Sequence, residues 1–357
     1  MKSGFEMDIT KVDKNFIVET NINIPDIKFY DAKEAPFKIY GVFYEDERFR
    51  RMPKAIAKTV NDGVAGLHEH TAGGRIRFKT NSPYVAINTK MPHVGKMPHF
   101  ALTGSSGFDL YIKEDGMDRY FRSFVPPFAI TNGYESVIEF GNNDLKEITI
   151  DMPLYSSVSE IYVGLSQDAE VFEPEEYAVK TPIVYYGSSI TQGGCASRPG
   201  SCYTARISRE LNADYINLGF SGSARGEDAI GEYIAGLNMS CFVYDYDHNS
   251  PSLETLENTH ERCFKIIREK NPDLPIVILS RPKFKLTDDE EARFKVIEKT
   301  YENAKAKGDN NVYLIKGTKL MEKAGFEGTV DNCHPTDLGF ASMGNAIAPV
   351  LKKIFNL

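Results

Sequence analysis

The sequence lacks a long hydrophobic run, and it has few cysteines for its length. A helix that spans a bilayer needs about 20 consecutive apolar residues, so we predict no transmembrane segment and no membrane partner. The five cysteines are an odd number, all lie in the second half, and no two are spaced as a Cys-X-X-Cys pair. This usage argues against a structural disulfide or zinc site and is typical of reduced thiols in a reducing compartment.

The chain also lacks basic character. Its net charge is −8 at pH 7, and no basic stripe balances the acidic excess, so no nucleic-acid partner is expected. We predict that isolated basic pairs, such as Arg50-Arg51 and Lys352-Lys353, are solvated surface. Residues 1–8 carry acids where a signal peptide has its apolar core. This predicts a cytoplasmic protein, although a signal that was already removed is still compatible with the sequence.

With 357 residues, the chain is long enough for about two domains. Its first half contains short β-prone runs at roughly ten-residue intervals, which is typical of an all-β sandwich. Residues 75–80 alternate strictly between polar and apolar side chains, as in a half-buried strand, and residues 84–89 are the predicted returning strand. One helix is expected near residues 46–61.

The second half changes period after about residue 178. Five strand-like runs alternate there with helical patterns, which indicates a five-stranded, doubly wound parallel sheet between helices. We therefore predict an all-β sandwich domain over residues 1–178 and an α/β domain over residues 179–357.

Polar and small residues collect where these predicted strands end. Ser189 follows the first strand of the second half, Gly222 follows the second and Asn249 the third, while Asp331 and His334 precede the last helix. The carboxyl ends of parallel strands share one edge of a sheet, so these residues are expected to converge.

This set of residues fits acyl transfer. A serine hydroxyl is a weak nucleophile that needs an adjacent base; His334 is the candidate base for Ser189, and Asp331 would orient the imidazole. The N–H groups of Ser189 and Gly222 and the side-chain amide of Asn249 are candidate oxyanion donors. Each residue alone has an ordinary explanation as a turn or a helix cap, but their joint occurrence after strand ends favours catalysis.

Residues 187–191 (Gly-Ser-Ser-Ile-Thr), together with Gly222, Asn249 and the Asp331-X-X-His334 spacing, resemble the four sequence blocks of the SGNH (GDSL-type) hydrolase superfamily. The resemblance implies a serine esterase or acylhydrolase on a flavodoxin-like, three-layer α/β/α domain. It also implies that no metal or organic cofactor takes part, and it carries the roles given above over to the same residues.

The resemblance covers about residues 180–357, with two departures from the family pattern. The aspartate that usually precedes the nucleophile is replaced by Ser188, which can still form hydrogen bonds but carries no charge. Residues 247–250 read Asp-His-Asn-Ser, where the family commonly has Gly-X-Asn-Asp. This second departure bears on the assignment of Asn249.

The first half carries a narrower resemblance. Residues 107–111 (Gly-Phe-Asp-Leu-Tyr) are similar to the Gly-X-Asp-Leu-Tyr signature of a β domain that precedes a bacterial SGNH subgroup. Two-domain carbohydrate esterases resemble this layout, with a jelly-roll-like domain ahead of the SGNH domain. By that analogy the substrate would be an acetylated sugar or oligosaccharide.

Three further residues lie close to these motifs in the sequence. Arg198 follows the nucleophile loop, and we favour a role in bracing that loop over contact with an anionic or hydroxylated substrate. His248, next to Asn249, is a candidate for contact with substrate or for support of the site, whereas His334 is preferred as the base. Cys333 is expected to pack in the core, because nothing around it suggests an activated thiolate.

The histidines of the first half give weaker signals. His68 and His70 flank Glu69, but two histidines at this spacing without further ligands are poor evidence for a metal site, and a surface strand or loop is predicted instead. His93 and His99 each follow a Met-Pro pair and are candidates for the domain junction, a question that the sequence leaves open.

The sequence therefore predicts a serine esterase that acts through an acyl-enzyme on Ser189, with a short acyl group on a carbohydrate as the favoured substrate. An acyltransferase with the same nucleophile, a lipid acylhydrolase and a carbohydrate-binding protein with an inactive enzyme domain stay open as alternatives. The acyl chain length, the alcohol, the role of the β domain and the oligomeric state are not determined by the sequence.

Overall fold

The structure is a computed structural model that describes residues 18–357. Residues 1–8, on which the prediction about a signal peptide rests, lie outside this range. We call residues 18–178 the β-rich region and residues 179–357 the α/β region; the predicted boundary falls between strands β12 and β13 as bounded below.

The β-rich region consists mainly of short strands. In chain order they are β1 (Ile27–Asp31), β2 (Lys38–Tyr40), β3 (Phe43–Glu45), β4 (Arg48–Arg50), β5 (Arg75–Thr80), β6 (Tyr84–Lys90), β7 (Phe108–Glu114), β8 (Met117–Phe124), β9 (Glu135–Glu139), β10 (Lys146–Asp151), β11 (Glu160–Ser166) and β12 (Val171–Phe172). Its helices are α1 (Lys54–Val60), α2 (Asp62–Leu67) and α3 (Leu102–Ser105).

The α/β region alternates strands with helices. Its strands are β13 (Val179–Gly187), β14 (Ala213–Gly219), β15 (Cys241–Asp245), β16 (Ile276–Leu279) and β17 (Val312–Ile315). Its helices are α4 (Ser189–Gln192), α5 (Tyr203–Leu211), α6 (Asp228–Ala235), α7 (Leu253–Lys270), α8 (Asp288–Ala306), α9 (Gly317–Leu320) and α10 (Asp337–Phe355), with short 3-10 turns at Pro199–Ser201 and Gly325–Gly328.

Two antiparallel sheets pack face to face in the β-rich region. One has the strand order β1-β11-β6-β9, and the other has the order β12-β5-β10-β7-β8, with β2 also paired to β5. Alternate residues of β5 and β6, namely Ile76, Phe78, Val85 and Ile87, are fully buried in the core between them. The predicted β-sandwich is confirmed.

Strand β5 is buried on both faces, however, rather than half-buried as its pattern predicts. Arg75 and Arg77, at the polar positions of the alternation, are only 2% and 1% exposed. The guanidinium of Arg75 lies 3.9 Å from the ring centroid of Tyr215 in the α/β region, and that of Arg77 lies 4.1 Å from the ring centroid of Tyr177. Tyr215 of the α/β region and Tyr177 of the segment that leads into it cover this face of the sheet. Polar/apolar alternation carries no information about such a cover.

The prediction of a helix near residues 46–61 is wrong for the first half of this range. Asp46 and Glu47 adopt positive φ angles of 47° and 57° in the turn between β3 and β4, and α1 begins only after Pro53. Asn61 then caps α2, because its Oδ1 accepts the N–H of Val64 at 2.9 Å. The short polar turn and the proline override the helical pattern here.

All strands of the α/β region run parallel, in the order β14-β13-β15-β16-β17. Apolar residues of α5 and α10 pack on one face of this sheet, and those of α6, α7 and α8 pack on the other. The continuous apolar run of β16 is buried throughout, as expected for a strand that is covered on both faces. The predicted three-layer α/β/α domain is confirmed.

The prediction that Arg50-Arg51 is solvated surface is wrong. Both side chains are almost fully buried, at 1% and 2% exposure. Arg51 donates hydrogen bonds to the carbonyl oxygens of Asn217 and Gly219 at the end of β14, and to that of Leu67 in its own region. A buried guanidinium is tolerated because these carbonyls replace the water it has lost.

Among residues 18–357, no helix combines the length and the apolar character that a membrane crossing requires.

The central sheet should dominate the stability of the α/β region. Leu279, at the end of β16, is fully buried, and Leu279→Ala is expected to cost about 2–5 kcal/mol of unfolding free energy, because it removes buried methyl groups and leaves a cavity. Leu145→Ala is the matched control: Leu145 is 59% exposed, and the same truncation should cost less than about 0.5 kcal/mol. Urea unfolding curves of the two variants should therefore separate clearly; equal shifts would contradict this placement of β16.

Candidate active site

Strand β13 ends at Gly187, where there is no room for a side chain, and a serine follows at the edge of the sheet. A Cβ on Gly187 would lie 2.4 Å from the carbonyl oxygen of Asp245 and 2.2 Å from Thr191 Oγ1, so only glycine fits. Ser188 then caps α4, its Oγ accepting the N–H of Ile190 at 3.2 Å. Ser189 becomes the first residue of this short helix, beyond the carboxyl end of the strand.

Ser189, His334 and Asp331 form a continuous hydrogen-bonded chain. Ser189 Oγ lies 2.9 Å from His334 Nε2, and His334 Nδ1 lies 2.7 Å from Asp331 Oδ2. The other carboxylate oxygen of Asp331 accepts the backbone N–H groups of Cys333 at 3.0 Å and of His334 at 2.7 Å. Asn332 makes this tight loop possible with a φ of 65°, a conformation that asparagine tolerates better than most residues.

The electrostatics keep the carboxylate of this chain ionised. Partial burial alone would raise the pKa of Asp331, but the hydrogen bonds from the side chain and backbone of His334 outweigh it and lower the pKa to about 2. An ionised Asp331 accepts the Nδ1–H of His334, which leaves the lone pair of Nε2 directed at the serine hydroxyl. The arrangement can remove the proton of Ser189.

Gly222 lies in the loop that follows β14, with a φ of 68° and open space where a Cβ would be. The N–H groups around it already have acceptors: that of Ser221 is bound to Gln192 Oε1 at 3.0 Å, and those of Ser223 and Ala224 are bound to the carbonyl of Phe220. Gly222 is exposed, and its N–H has no hydrogen-bond acceptor within residues 18–357. It is therefore available to a ligand.

Asn249 reaches the same loop from the carboxyl end of β15. Its side-chain Oδ1 accepts the N–H of Ala224 at 3.4 Å, which leaves the NH₂ group as the free end of the amide. The N–H of Ser189 is also available, because the first N–H of a helix has no intrahelical acceptor. The structure thus brings the three predicted oxyanion donors to neighbouring loops of one sheet edge.

Arg198 lies in the junction with the β-rich region. Its guanidinium donates to Asp109 Oδ2 at 3.3 Å and to the hydroxyl of Tyr111, and it stacks 3.9 Å from the ring centroid of Tyr120. Asp109 also accepts the N–H of Gly200 at 2.9 Å. The aspartate and tyrosine of the Gly-X-Asp-Leu-Tyr signature therefore hold the loop after the nucleophile, and Arg198 braces that loop, the role favoured from the sequence.

His248 packs behind the loop that carries His334. Its Nδ1 lies 3.7 Å from the sulfur of Cys333, while its Nε2 is buried without a hydrogen-bond partner among the described residues. Burial, followed by the positive charge of Arg281, holds the pKa of His248 well below its usual range. A neutral imidazole at this position supports the His334 loop, and Cys333 is half-buried against it rather than in a core.

The histidines of the first half are not a surface pair, contrary to the prediction. His68 is buried with its Nε2 2.6 Å from Arg50 Nη1, and His70 is buried with its Nδ1 3.1 Å from Gln192 Nε2. His93 stacks on His70 with ring centroids 5.1 Å apart, which places it at the junction. The question left open by the sequence is thereby answered for His93.

Gln192 and Asp245 support the nucleophile loop, and sequence reasoning did not single them out. Gln192 bridges the regions: its Nε2 donates to the carbonyl of Leu154 at 3.1 Å, and its Oε1 holds the N–H of Ser221 beside Gly222. A glutamine in a helical turn has no distinctive sequence signal. Asp245 did have a sequence signal, because it is a carboxylate at the end of a predicted strand.

Asp245 is completely enclosed beneath the nucleophile loop. Its Oδ2 accepts the hydroxyl of Thr191 at 2.9 Å and that of Tyr203 at 3.4 Å. Burial raises the pKa of Asp245 to about 7 despite these two hydrogen bonds. A carboxyl group beneath the nucleophile loop is therefore partly protonated at neutral pH.

Comparison with known families matches both regions of the chain. Residues 180–352 match the model of the GDSL-like Lipase/Acylhydrolase family, and residues 27–171 match the model described as the N-terminus of Esterase_SGNH_hydro-type. No curated protein sequence matches the chain.

Solved structures extend this likeness over both regions. The chain is 31% identical to a protein from Bacteroides ovatus ATCC 8483 assigned as a GDSL-like lipase, with a TM-score of 0.83 and coverage of 92% of this chain and 98% of that one. The salicylyl-acyltransferase SsfX3 of a tetracycline biosynthetic pathway is 18% identical, with a TM-score of 0.76 and coverage of 94% and 99%. A family two carbohydrate esterase from Clostridium thermocellum, solved with cellohexaose, is 13% identical, with a TM-score of 0.59 and coverage of 80% and 94%.

The buried Asp245 should make folding stability pH-dependent. The folded state holds a proton on this carboxyl up to about pH 7, whereas an unfolded aspartate loses it near pH 3.9. Its contribution to stability is thus fully present below about pH 4 and is lost as the pH rises through about 7. We expect Asp245→Asn, which cannot ionise, to show a smaller drop in unfolding free energy between pH 5 and pH 8 than the wild type. Chemical denaturation at both pH values measures this difference, and identical drops in the two proteins would refute it.

Proposed function

The chain belongs to the GDSL-like lipase/acylhydrolase family, and on that premise we propose that it is a serine esterase that uses Ser189 as nucleophile. The observation that supports this most strongly is the hydrogen-bonded chain from Ser189 through His334 to Asp331. A serine, an imidazole and a carboxylate in this order are the groups that acyl transfer through a covalent intermediate needs.

In the proposed reaction, Ser189 Oγ attacks the ester carbonyl while His334 Nε2 takes the hydroxyl proton. The tetrahedral intermediate collapses as the bond to the alcohol oxygen breaks, and the imidazolium gives its proton to that oxygen. A water molecule then attacks the acyl-serine, with His334 again accepting a proton and returning it to Ser189 Oγ. Asp331 stays ionised throughout and stabilises the imidazolium.

The oxyanion of both tetrahedral intermediates would receive hydrogen bonds from Ser189, Gly222 and Asn249. These donors come from three different loops, and two of the loops are tied together by the bond from the Ala224 N–H to Asn249 Oδ1. Donors that are already oriented before the reaction need no rearrangement when the charge develops, and each contributes about 3 kcal/mol to the transition state.

We favour a short acyl group as the part of the substrate that enters the site. The β-rich region packs closely against the nucleophile loop. The hydroxyl of Tyr155 donates a hydrogen bond to the carbonyl oxygen of Ser189 at 3.2 Å, and a Cβ on Gly194 would lie 2.8 Å from that hydroxyl. This crowding beside the nucleophile favours small acyl groups such as acetyl. A carbohydrate as the alcohol portion is supported by the two-region layout that the chain shares with the carbohydrate esterase from Clostridium thermocellum.

Hydrolysis of a p-nitrophenyl ester series, from acetyl to long-chain acyl, tests the nucleophile and the chain length together. Ser189→Ala should lose turnover of the short esters by several orders of magnitude, because within residues 18–357 no other hydroxyl is hydrogen-bonded to His334 Nε2. The neighbouring Ser188→Ala is the control: it removes only a helix cap worth about 1 kcal/mol, so activity should fall at most about tenfold.

Other outcomes of this ester series would indicate a different function. Equal turnover by wild type and Ser189→Ala would remove Ser189 from its role, and a maximum at long chains would indicate a lipid acylhydrolase. Acyl transfer to added sugar or amine acceptors in place of hydrolysis would indicate an acyltransferase. Glycan binding without any turnover would indicate a carbohydrate-binding protein with an inactive enzyme domain.

The role of Asn249 can be measured separately, because its block departs from the family pattern. Asn249→Ala should lower kcat by about 100–1000-fold with little change in KM, since an oxyanion donor acts mainly in the transition state. Asn310→Ala, in an exposed loop before β17, is the control and should leave both constants unchanged. An unaltered kcat in a folded Asn249→Ala protein would show that this amide does not contact the oxyanion.

A further inference from the structure

Three potential metal ligands from separate parts of the chain surround the same point beside the nucleophile. His99 from the β-rich region, Cys195 from the loop after α4, and His334 offer ligand atoms that all lie within 4.8 Å of one another. The rings of His99 and His334 have their centroids 5.8 Å apart. Neither His99 nor Cys195 takes part in the proposed reaction, so that reaction does not explain their position.

The ligand set suits one class of ion. Two imidazoles and a thiolate are the nitrogen and sulfur donors that Zn²⁺ prefers, and a tetrahedral zinc with three protein ligands keeps one position for water or substrate. Bond lengths of about 2.0–2.3 Å place the ligand atoms of such a centre about 3.4–3.7 Å apart. The side chains must therefore move together by about 1 Å, and His99, which is exposed, can supply most of that movement by rotating.

The surroundings of His334 also fit a metal ligand. Its Nδ1 is bound to Asp331 at 2.7 Å, and a carboxylate on the far nitrogen is the usual partner of a histidine that binds zinc, because it fixes the tautomer and raises the basicity of the ligand. The atom left for the ion is Nε2, which is the atom that contacts Ser189 Oγ.

The geometry points to an inhibitory Zn²⁺ site formed by His99, Cys195 and His334. The bound ion occupies the lone pair of His334 Nε2, so the imidazole can no longer take the proton of Ser189. On binding, the thiol of Cys195 transfers its proton to solvent and a zinc–sulfur bond forms, with no change in oxidation state. The inhibition rests on the proposed function of His334, whereas the metal site itself does not.

Without the ion, Cys195 does not compete with Ser189 as a nucleophile. Burial, followed by the negative charge of Asp331, raises the pKa of the Cys195 thiol to about 12, so it is protonated at neutral pH. The β-rich region thus acquires a direct influence on the active site, because it contributes His99.

Metal binding is measured first, on untagged Ser189→Ala protein, where turnover plays no part. Titration with Co²⁺ as a spectroscopic substitute for Zn²⁺ should give one site per chain with a thiolate-to-metal charge-transfer band, and Zn²⁺ should displace it. Cys195→Ser in the same background should remove that band. Asp331→Asn should weaken binding about 10–100-fold through the lost carboxylate partner of His334.

Matched controls separate this site from other thiols and imidazoles. Cys333→Ser changes a thiol next to His334 that is not in the ligand set, and His93→Ala changes a junction histidine that stacks on His70; both should keep the band. A band that survives Cys195→Ser, or the absence of a thiolate band at any Co²⁺ concentration up to millimolar, would overturn the proposal.

Activity then tests the inhibition. Micromolar Zn²⁺ should inhibit p-nitrophenyl acetate hydrolysis by the wild type, EDTA should restore it, and His99→Ala and Cys195→Ser should remain active and become resistant to Zn²⁺. Equal sensitivity of these two variants and the wild type would also overturn the proposal. A wild type that binds Co²⁺ with the thiolate band but hydrolyses no ester would leave the metal site standing and remove the esterase.

Discussion

Two loops of the active-site edge, those that follow β13 and β14, depend on hydrogen bonds that the β-rich region makes at the ends of these strands. The clearest example is Arg51, whose buried guanidinium binds the carbonyls of Asn217 and Gly219 just before the loop that carries Gly222. Burial lowers the pKa of Arg51 to about 9, so the group still carries its charge at neutral pH. A buried charge needs close partners, and this requirement fixes both the position of Arg51 and the end of β14.

The loop after β13 and the loop after β14 have further supports of this kind. Asp109 holds the N–H of Gly200, Tyr155 holds the carbonyl of Ser189, and Gln192 ties the loop of Ser221 to the β-rich region through Leu154. An active site gains precision when its residues are held by surrounding contacts. The β-rich region is thus a structural part of the site, whatever it contributes to substrate binding.

The contacts of the Gly-X-Asp-Leu-Tyr motif explain its structural role. Its aspartate, Asp109, is completely buried, and this burial raises the pKa of its carboxyl group. Ser123, Arg198 and Gly200 donate hydrogen bonds to the carboxylate, which act in the opposite direction and lower the pKa. Its tyrosine lies so close to Gly200 that a Cβ there would be 2.0 Å from the hydroxyl. The aspartate and the tyrosine of the motif thus hold a loop more than 80 residues further along the chain.

The sequence by itself determined the class of each half, the alternation of strands and helices in the second half, and the residues that gather beyond the strand ends. Such patterns are local: the period of apolar residues, a serine after an apolar strand, and an aspartate three residues before a histidine can be read from neighbours in the chain. The tertiary structure alone decided which polar side chains are buried. Arg51, Arg75 and His70 look like surface residues in sequence, yet the α/β region contacts each of them. It supplies carbonyl oxygens to Arg51, the ring of Tyr215 to Arg75 and the side-chain amide of Gln192 to His70 in place of water. It also decided that His99 and Cys195 lie beside His334, because the distance between segments far apart in sequence is set only when the two regions pack together.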